Sequence, residues 1–433
     1  MKEFELNYGK GKMKCSIPEE NLIDVISNNE WLDNRTEEEI IIDALKHPID
    51  SAKLKELVHK GETVGILVSD NTRLWQKMFL YLPYIVKEIL DGGVNEEDII
   101  FIIANGGHRK PNEEEYKQIL GPTLYGKYRI VQHNCRDEKN LVYLGKTTRQ
   151  TPVEINKAAY ECNHIILTGA IVYHFLTGWA GGKKSILPGI SSFRSITANH
   201  YFCLADEIGK DVTNPNVRCG NIINNPIHED MLEAASFVRP TFMFNVIIGS
   251  VGKISAAVAG NYIKAHERGR DIVDRMFGVT IKEKADLIIS SLGGFPRDTN
   301  LYQSIKAMYF VGEALKDGGT LIVLAECSDG LGGDCDFKDM FLNYESNLER
   351  EKDLHSDYTI SKFTSFCPCE MAEHYNLILV SDIDDNFLKK TKIKIFKTLN
   401  EALAYTYKEK CSKLRTYIMP NGTDILPKFE QII

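Results

Sequence analysis

The chain has 433 residues, of which 26% are charged, and its formal net charge is -8. At roughly 100–200 residues per domain, this length predicts two or three domains. The acidic balance argues against the broad basic surface that nucleic-acid binding requires, so we expect a small-molecule partner and no nucleic acid. No apolar run reaches about 18 residues, so we also expect no membrane span.

The N-terminal segment, MKEFELNYGKGKMKCSI, alternates apolar and polar residues and predicts a strand, a turn and a second strand. It lacks the basic region followed by an apolar run that marks a secretory signal. The ten cysteines are scattered, which is typical of reduced thiols, and we therefore expect a cytoplasmic protein. Cys367 and Cys369 are spaced too tightly for a CxxC zinc knuckle and are interpreted as ordinary loop cysteines.

Short apolar runs rich in β-branched residues alternate with longer amphipathic stretches along the chain. The runs predict strands at residues 64–69, 99–104, 128–132, 164–168, 286–290, 320–325 and 376–381. The amphipathic stretches predict helices at residues 75–91, 112–120, 302–316 and 361–375. This alternation is typical of an α/β fold with mostly parallel sheets.

A strand-like run at residues 242–251 is followed by a long helical pattern that ends near Phe277. The natural division of the chain lies there, which predicts an N-terminal domain of residues 1–275 and a C-terminal domain of residues 276–433. We therefore expect two α/β lobes with an active-site cleft between them.

Segments that contain candidate chemical residues follow four of the predicted strands. They are residues 69–73 (SDNTR), 105–109 (NGGHR), 169–174 (GAIVYH) and 293–298 (GGFPRD). Ligands of open α/β sheets bind beyond the carboxyl ends of the strands, because the loops converge there. These segments are therefore candidates for binding and chemistry.

The densest segment, residues 173–200, has two histidines and two adjacent lysines around a glycine-rich turn. Glycine lets the backbone approach a ligand closely, so a phosphate or a flat heterocycle would fit there. The GxxxxGK[ST] pattern of a phosphate-binding P-loop is broken at Lys183. No GxGxxG motif opens a helix, which disfavours an ordinary nicotinamide dehydrogenase.

Five sequence elements resemble those of one known family, and the fourth of them lies within the third. They are DNTR at 70–73, GGHR at 106–109, the H-x9-K-x15-H pattern of His174, Lys184 and His200, GG-x-KS-x-x-PG at 181–189, and NLYQSIK at 300–306. The chain thus resembles the lactate racemase family, the nickel-pincer nucleotide enzymes, over nearly its whole length.

The resemblance implies roles for the histidines and for one lysine. Lys184 would form a thioamide bond to a pyridinium mononucleotide that bears two sulfur donors. Nickel would be held by the sulfurs, a ring carbon and His200, a planar and sulfur-rich set that suits this metal. His108 and His174 match the family's acid/base residues, and imidazole suits both duties near neutral pH. Taken singly, each histidine is more often structural.

The resemblance also implies contacts with a 2-hydroxy acid, from Arg73, Tyr302, Gln303 and Lys306. Arginine offers a planar fork that fits a carboxylate, and lysine supplies a point charge. Tyr302 and Lys306 are four residues apart near the start of a helix and share one face. By composition alone that face would be interpreted as solvated surface.

Further residues are expected to hold the cofactor. Asp70 is expected to accept hydrogen bonds from ribose hydroxyls, and Thr72 to donate to the phosphate. Gly181 and Gly182 are expected to line the cofactor. Lys183 is directly before the attachment lysine. It could be mistaken for the attachment site, or it could instead pair with the phosphate of the nucleotide.

The implied activity is that of a racemase or epimerase, which inverts the 2-hydroxyl carbon by reversible hydride transfer to the cofactor. The N-terminal domain would hold the cofactor, the C-terminal domain would close the cleft, and cofactor-biosynthesis enzymes would be partners. The substrate stays open between lactate-like and larger acids, including sugar acids for a 2-epimerase. A nicotinamide oxidoreductase and a non-catalytic nucleotide-binding protein remain alternatives, and a homo-oligomer stays open.

Overall fold

The computed structural model describes residues 1–209, 213–312, 314–410 and 413–429, without the side chains of residues 306, 307 and 312. The chain divides into two compact units. The central unit consists of Glu30–Cys203 and Gly220–Met276, and the terminal unit consists of Met1–Asn29, Leu204–Cys219 and Phe277–Ile433. Among the described residues, no helix is long and apolar enough to cross a membrane.

The described strands and helices alternate over most of the chain. The strands are β1 (Lys2–Tyr8), β2 (Gly11–Ile17), β3 (Leu22–Val25), β4 (Val64–Val68), β5 (Ile99–Ile103), β6 (Arg129–Gln132), β7 (Leu141–Lys146), β8 (Pro152–Asn156), β9 (His164–Ala170), β10 (Tyr173–His174), β11 (Gly178–Trp179), β12 (Phe242–Ile248), β13 (Ile254–Gly260), β14 (Gly278–Ile281), β15 (Ala285–Ser291), β16 (Leu315–Leu324), β17 (Asn376–Val380), β18 (Lys394–Phe396), β19 (Thr416–Met419) and β20 (Leu426–Phe429). The α-helices are α1 (Glu37–Lys46), α2 (Leu54–Leu57), α3 (Met78–Asp91), α4 (Glu113–Leu124), α5 (Lys157–Tyr160), α6 (Phe193–His200), α7 (Pro226–Val238), α8 (Lys264–Phe277), α9 (Leu301–Gly312), α10 (Cys335–Leu342), α11 (Asn347–Ser356), α12 (Ile360–His374) and α13 (Leu399–Glu409).

The sheet of the central unit has the strand order β13-β12-β9-β4-β5-β6, and only β13 runs antiparallel to its neighbour. The sequences of β4 (VGILV) and β5 (IIFII) are buried at every position. Such continuous apolar runs are typical of parallel strands that are covered on both faces. Side chains of α1, α3 and α4 complete the core on one side of this sheet.

The sheet of the terminal unit has the order β18-β17-β16-β15-β19-β3, with all neighbours parallel. β3, near the start of the chain, pairs with β19, near its end. The predicted division at residues 275/276 places residues 1–29 with the first lobe, whereas they pack in the terminal unit. Pairing between strands nearly 400 residues apart leaves no local signal in the sequence.

The prediction of an α/β fold with mostly parallel sheets is confirmed, and each predicted strand is present. Three local predictions are wrong. The first part of the long helical pattern predicted between residue 251 and Phe277 is strand β13, and only its second part is helix, α8. β13 pairs antiparallel with β12, a partner that the helical pattern did not indicate. The helix predicted to reach residue 316 ends at Gly312, and β16 begins at Leu315. Cys367 and Cys369 lie inside α12 and are buried, rather than in a loop. The amphipathic pattern of α12 includes them because cysteine packs as a small apolar residue.

Candidate active site

The predicted site residues of the central unit lie in three segments: residues 70–73 follow β4, His108 follows β5, and residues 174–200 follow β9. These strands are parallel neighbours in the order β9-β4-β5. The backbone N–H of Gly106, in the loop after β5, donates to the carbonyl of Gly189 at 2.9 Å. The loop that carries His108 is therefore joined directly to the segment that carries Lys184.

Asp70, directly after β4, is a buried carboxylate that binds His108. Its Oδ2 lies 2.7 Å from Nδ1 of His108, and its Oδ1 accepts hydrogen bonds from the backbone N–H of Thr72 at 2.8 Å and the Thr72 hydroxyl at 2.5 Å. Burial alone would raise the pKa of Asp70, but the bonds from His108 and Thr72 outweigh it and hold that pKa below its usual value. The ionised carboxylate keeps a proton on Nδ1 of His108 and leaves Nε2 available, on a side chain that is 50% exposed.

Two amide side chains stabilise the loop that carries His108 through a chain of hydrogen bonds. Nδ2 of buried Asn105 donates to the carbonyl of His108 at 2.8 Å. Nε2 of Gln132, on β6, donates in turn to Oδ1 of Asn105 at 2.8 Å. Each strand end thus supplies a polar group that fixes the position of the imidazole.

The turn before Lys184 depends on two glycines in left-handed conformations, Gly181 at φ 84° and Gly182 at φ 52°. The N–H of Gly182 donates to Oδ1 of Asn245 at 2.7 Å, and a Cβ on Gly181 would lie 2.6 Å from that same oxygen. Only glycine fits both demands. Sequence reasoning missed Asn245, although one buried polar residue in the apolar run of β12 (FMFNVII) is a signal.

His174, on β10, is in direct contact with Lys184. Its Nε2 lies 3.1 Å from Nζ of Lys184. Its Nδ1 accepts hydrogen bonds from the backbone N–H groups of Leu176 at 3.2 Å and Thr177 at 3.4 Å. The ring stacks on Phe175 with centroids 5.1 Å apart. The imidazole is therefore held on both its edge and its face, with Nε2 directed at the lysine amine.

His200, at the end of α6, is buried and has one ring nitrogen engaged. Its Nδ1 donates to the carbonyl of Ile196 at 2.9 Å, which leaves a lone pair on Nε2. Burial, with a further contribution from the charge of Lys184, lowers the pKa of His200 to about 3. A neutral imidazole whose other nitrogen is bound to a backbone carbonyl has the usual arrangement of a metal ligand. Within the described residues, no group of three or more His, Cys, Asp or Glu side chains could hold a metal ion.

Four basic side chains lie together behind the turn, and we call them the basic cluster. They are Lys183, His228, His266 and Arg270. Nζ of Lys183, Nδ1 of His228 and Nε of Arg270 are buried and make no hydrogen bond within the described part of the chain. Burial lowers the pKa of Lys183 to about 7, with smaller contributions from Lys184 and Arg270. Sequence reasoning noted only Lys183 of the four.

The predicted substrate residues are divided between the two units. Arg73, in the central unit, is half-buried, and its Nη1 donates to the carbonyl and the hydroxyl of Thr72 at 3.3 and 3.1 Å. Tyr302 and Gln303 lie on α9 of the terminal unit, where the Tyr302 ring packs edge-on against Phe337 at 5.2 Å. The side chain of Lys306 lies outside the described residues. Their roles stay predictions.

Comparison with known proteins agrees with these observations over almost the whole chain. The family model of the lactate racemase N-terminal domain matches residues 8–210, and that of the lactate racemase C-terminal domain matches residues 280–426. A lactate racemase of Thermoanaerobacterium thermosaccharolyticum is 37% identical over 336 residues, which are 77% of this chain and 76% of the relative. That of Lactiplantibacillus plantarum is 31% identical over 439 residues, which are 99% of this chain and 100% of the relative.

Solved structures show the same similarity. The lactate racemase apoprotein from Thermoanaerobacterium thermosaccharolyticum superimposes with a TM-score of 0.89 at 32% identity, covering 99% of this chain and 100% of that one. A protein from Thermotoga maritima shares the fold, with a TM-score of 0.66 at 16% identity, covering 93% of this chain and 100% of that one. The chain therefore belongs to the lactate racemase family.

Proposed function

We propose that this protein is a racemase or epimerase of 2-hydroxy acids that works with a nickel-pincer nucleotide attached to Lys184. The observation that carries the proposal is the 3.1 Å contact between His174 and Lys184, beside a loop on which Asp70 orients a second imidazole, His108. Relatives named lactate racemase support the reaction class. The nickel dependence rests on the resemblance of the motifs and on the fit described next.

The residues around Lys184 fit an anionic mononucleotide that carries a metal. The basic cluster offers buried N–H groups that have no acceptor within the described residues, and a phosphate would supply acceptors for them. Nε2 of His200 has a lone pair for nickel, which accepts imidazole nitrogen. Lys184 would hold the nucleotide, His200 the metal, and Lys183 the phosphate. When bound, the group would supply a reversible acceptor for the α-hydrogen of the substrate.

The protein's own side chains would handle the hydroxyl proton. Nε2 of His108 takes this proton, and the ionised carboxylate of Asp70 stabilises the imidazolium that forms. His174 supplies the second imidazole, because inversion requires that a proton be removed and returned on either face of a planar 2-oxo acid. Both carboxylate oxygens of Asp70 are already hydrogen-bonded, Oδ2 to Nδ1 of His108 and Oδ1 to the backbone N–H of Thr72. We therefore propose that Asp70 orients His108. Ribose contacts from Asp70 and phosphate contacts from Thr72 stay predictions.

Arg73 would bind the substrate carboxylate. Its guanidinium uses Nη1 for the carbonyl and hydroxyl of Thr72, which orients the planar group while its other N–H groups remain for a bidentate carboxylate contact. The substrate contacts of Tyr302, Gln303 and Lys306 that the sequence implies stay predictions. Substrate size is not decided by these residues, so a lactate-like acid and a sugar acid both remain within the proposal.

The biochemical test begins with maturation. The chain is produced with and without cofactor-building enzymes, and intact mass, nickel content and chiral conversion of a panel of 2-hydroxy acids are measured. The proposal expects a covalent adduct on Lys184, nickel, and racemisation or epimerisation, all lost in Lys184→Ala. In heavy water the α-hydrogen should stay largely unexchanged. Full activity of Lys184→Ala would exclude the mechanism, and conversion that depends on a nicotinamide would favour the oxidoreductase alternative.

A cytoplasmic location is part of the proposal. All nine cysteines in the described residues are free thiols, as expected in a reducing compartment. Fractionation of the native host tests this location, and recovery of the protein outside the cytoplasm would contradict it.

A further inference from the structure

The contacts of His174 determine which of its ring nitrogens carries the proton. A neutral imidazole has one N–H donor and one acceptor. The backbone N–H groups of Leu176 and Thr177 both point at Nδ1, so Nδ1 must be the acceptor. The ring proton therefore lies on Nε2, which faces Nζ of Lys184 at 3.1 Å.

This tautomer determines the protonation state of the lysine. An ammonium group has three N–H donors and no lone pair, so it cannot accept a hydrogen bond from Nε2–H of His174. An imidazolium would place Nδ1–H against the amides of Leu176 and Thr177. A lysine ammonium that donates to a bare Nε2 would require an imidazole without a proton on either nitrogen. Only a neutral amine at Lys184 satisfies all three contacts.

We propose that, before the cofactor is attached, His174 holds Lys184 as a neutral amine by donating its Nε2 proton to the lone pair of Nζ. A neutral amine can form an N–C bond at an acyl or thioacyl carbon while a leaving group departs with its electron pair and one N–H proton passes to water, whereas an ammonium ion has no lone pair for this bond. His174 is thus a positioning residue for the attachment step, in addition to the acid/base role proposed above. The purpose of this arrangement rests on the proposed function, but the protonation state itself does not.

One charged neighbour of Lys184 favours the same state. Lys183 is buried directly beside it, and while Lys183 is protonated the electrostatic interaction between the two lysines disfavours charge on both. His200, whose pKa is lowered to about 3, is neutral and does not change this balance.

Trace acetylation of the cofactor-free full chain tests the proposal. In this reaction the Nζ lone pair forms an N–C bond with acetic anhydride, acetate leaves with its electron pair, and one N–H proton passes to water. Acetylation at Lys184 is measured between pH 6 and 10 by peptide mass spectrometry, relative to exposed Lys60 in the same molecule. In the unaltered protein Lys184 should titrate below the ordinary lysine pKa of about 10.4.

Two variants separate the hydrogen bond from the shape of the ring. His174→Phe keeps a planar ring without Nε2–H, and acetylation of Lys184 at pH 7.5 should fall ~10-fold or more, since each unit of pKa changes the neutral fraction tenfold. His174→Gln retains an N–H donor and should keep most of the reactivity. His47→Phe, at the exposed residue directly after α1, is the matched control and should change nothing.

The outcomes separate this proposal from the proposed function. Identical pH profiles for the unaltered protein and His174→Phe would overturn the proposal, as would equal losses in His174→Gln and His174→Phe. An adduct on Lys184 in matured protein, without an effect of His174 on acetylation, would leave only the proposed function standing. The expected acetylation profile without any adduct would leave only this inference.

Discussion

Oδ2 of Asp70 and Nδ1 of His108 are joined by a 2.7 Å hydrogen bond between the loops that follow two adjacent strands. The carboxylate is buried at 3% exposure, while the imidazole is half exposed. This arrangement orients a proton acceptor toward solvent-accessible space and places its counter-charge behind it. It is the most direct evidence in the central unit for acid/base chemistry.

Replacement of this carboxylate should slow turnover without loss of the cofactor. In Asp70→Asn the amide can no longer stabilise an imidazolium or enforce the Nδ1–H tautomer, so we expect kcat to fall by ~100-fold or more. Intact mass should show an unchanged adduct. Asp43→Asn is a matched control, because Asp43 makes a similar contact with His47 at 2.9 Å on the exposed surface. A kcat within twofold of the unaltered protein in Asp70→Asn would contradict the assignment.

The glycine turn before Lys184 should tolerate no side chain. Gly181→Ala adds a left-handed cost of roughly 1–2 kcal/mol and also a Cβ 2.6 Å from Oδ1 of Asn245. Gly61→Ala is the matched control, since Gly61 has φ 86° but no atom within 4 Å of the added Cβ. Urea denaturation should show the larger loss of stability in Gly181→Ala, together with reduced adduct formation. Equal losses would mean that the contact with Asn245 is unimportant.

The buried amine of Lys183 should cost stability but aid cofactor retention. Its Nζ has no hydrogen-bond partner in the described residues, and such a buried group costs roughly 1–3 kcal/mol. Lys183→Met should therefore raise the free energy of unfolding of the cofactor-free chain by about 1 kcal/mol or more. Adduct yield at limiting cofactor should fall at the same time. Lys60→Met, on the surface, should change neither, and unchanged adduct yield in Lys183→Met would remove this lysine from the phosphate site.

Stability should fall as pH falls below about 6.5, in part because of His133. Burial lowers its pKa to about 4, so between the unfolded pKa of about 6.5 and that value the unfolded chain binds a proton that the folded chain does not. The free energy of unfolding then decreases toward lower pH, by up to ~1.4 kcal/mol per pH unit for this group.

Urea denaturation at pH 7.5 and 5 checks this dependence. His133→Asn should reduce the difference between the two pH values by about 2 kcal/mol. His47→Asn, at the exposed residue directly after α1, is the control and should leave the difference unchanged. An undiminished difference in His133→Asn would show that other groups cause the acid sensitivity.

The sequence predicts the strands and the residue types of the site better than it predicts which residues touch. The apolar runs of β4, β5 and β9 place Asp70, His108 and Lys184 at one edge of a parallel sheet. The bond from Asp70 to His108 could not be predicted, because strand order decides which loops are neighbours. The position of β3 in the terminal sheet was missed for the same reason.

The basic cluster illustrates a second limit. His266 and Arg270 are four residues apart on α8 and so share a face, but nothing local indicates that this face packs behind the turn at Gly182. The contact arises because a Cβ-free residue there lets the His266 ring approach; an added Cβ would lie 3.0 Å from Cδ2 of His266. The basic cluster therefore forms through the packing of α8 against a turn that is distant in the sequence, and local sequence patterns do not predict it.

Two lysines stand side by side at residues 183 and 184, and the fold gives them opposite environments. The amine of Lys183 is enclosed at 3% exposure, whereas that of Lys184 reaches an imidazole at 3.1 Å. Chemically the two amines are identical, so regioselective modification has to come from their orientation alone. A deletion of one residue in the preceding turn would move Lys184 to the enclosed position and Ser185 to the position beside His174, so the protein would lose its modifiable amine although both lysines remained.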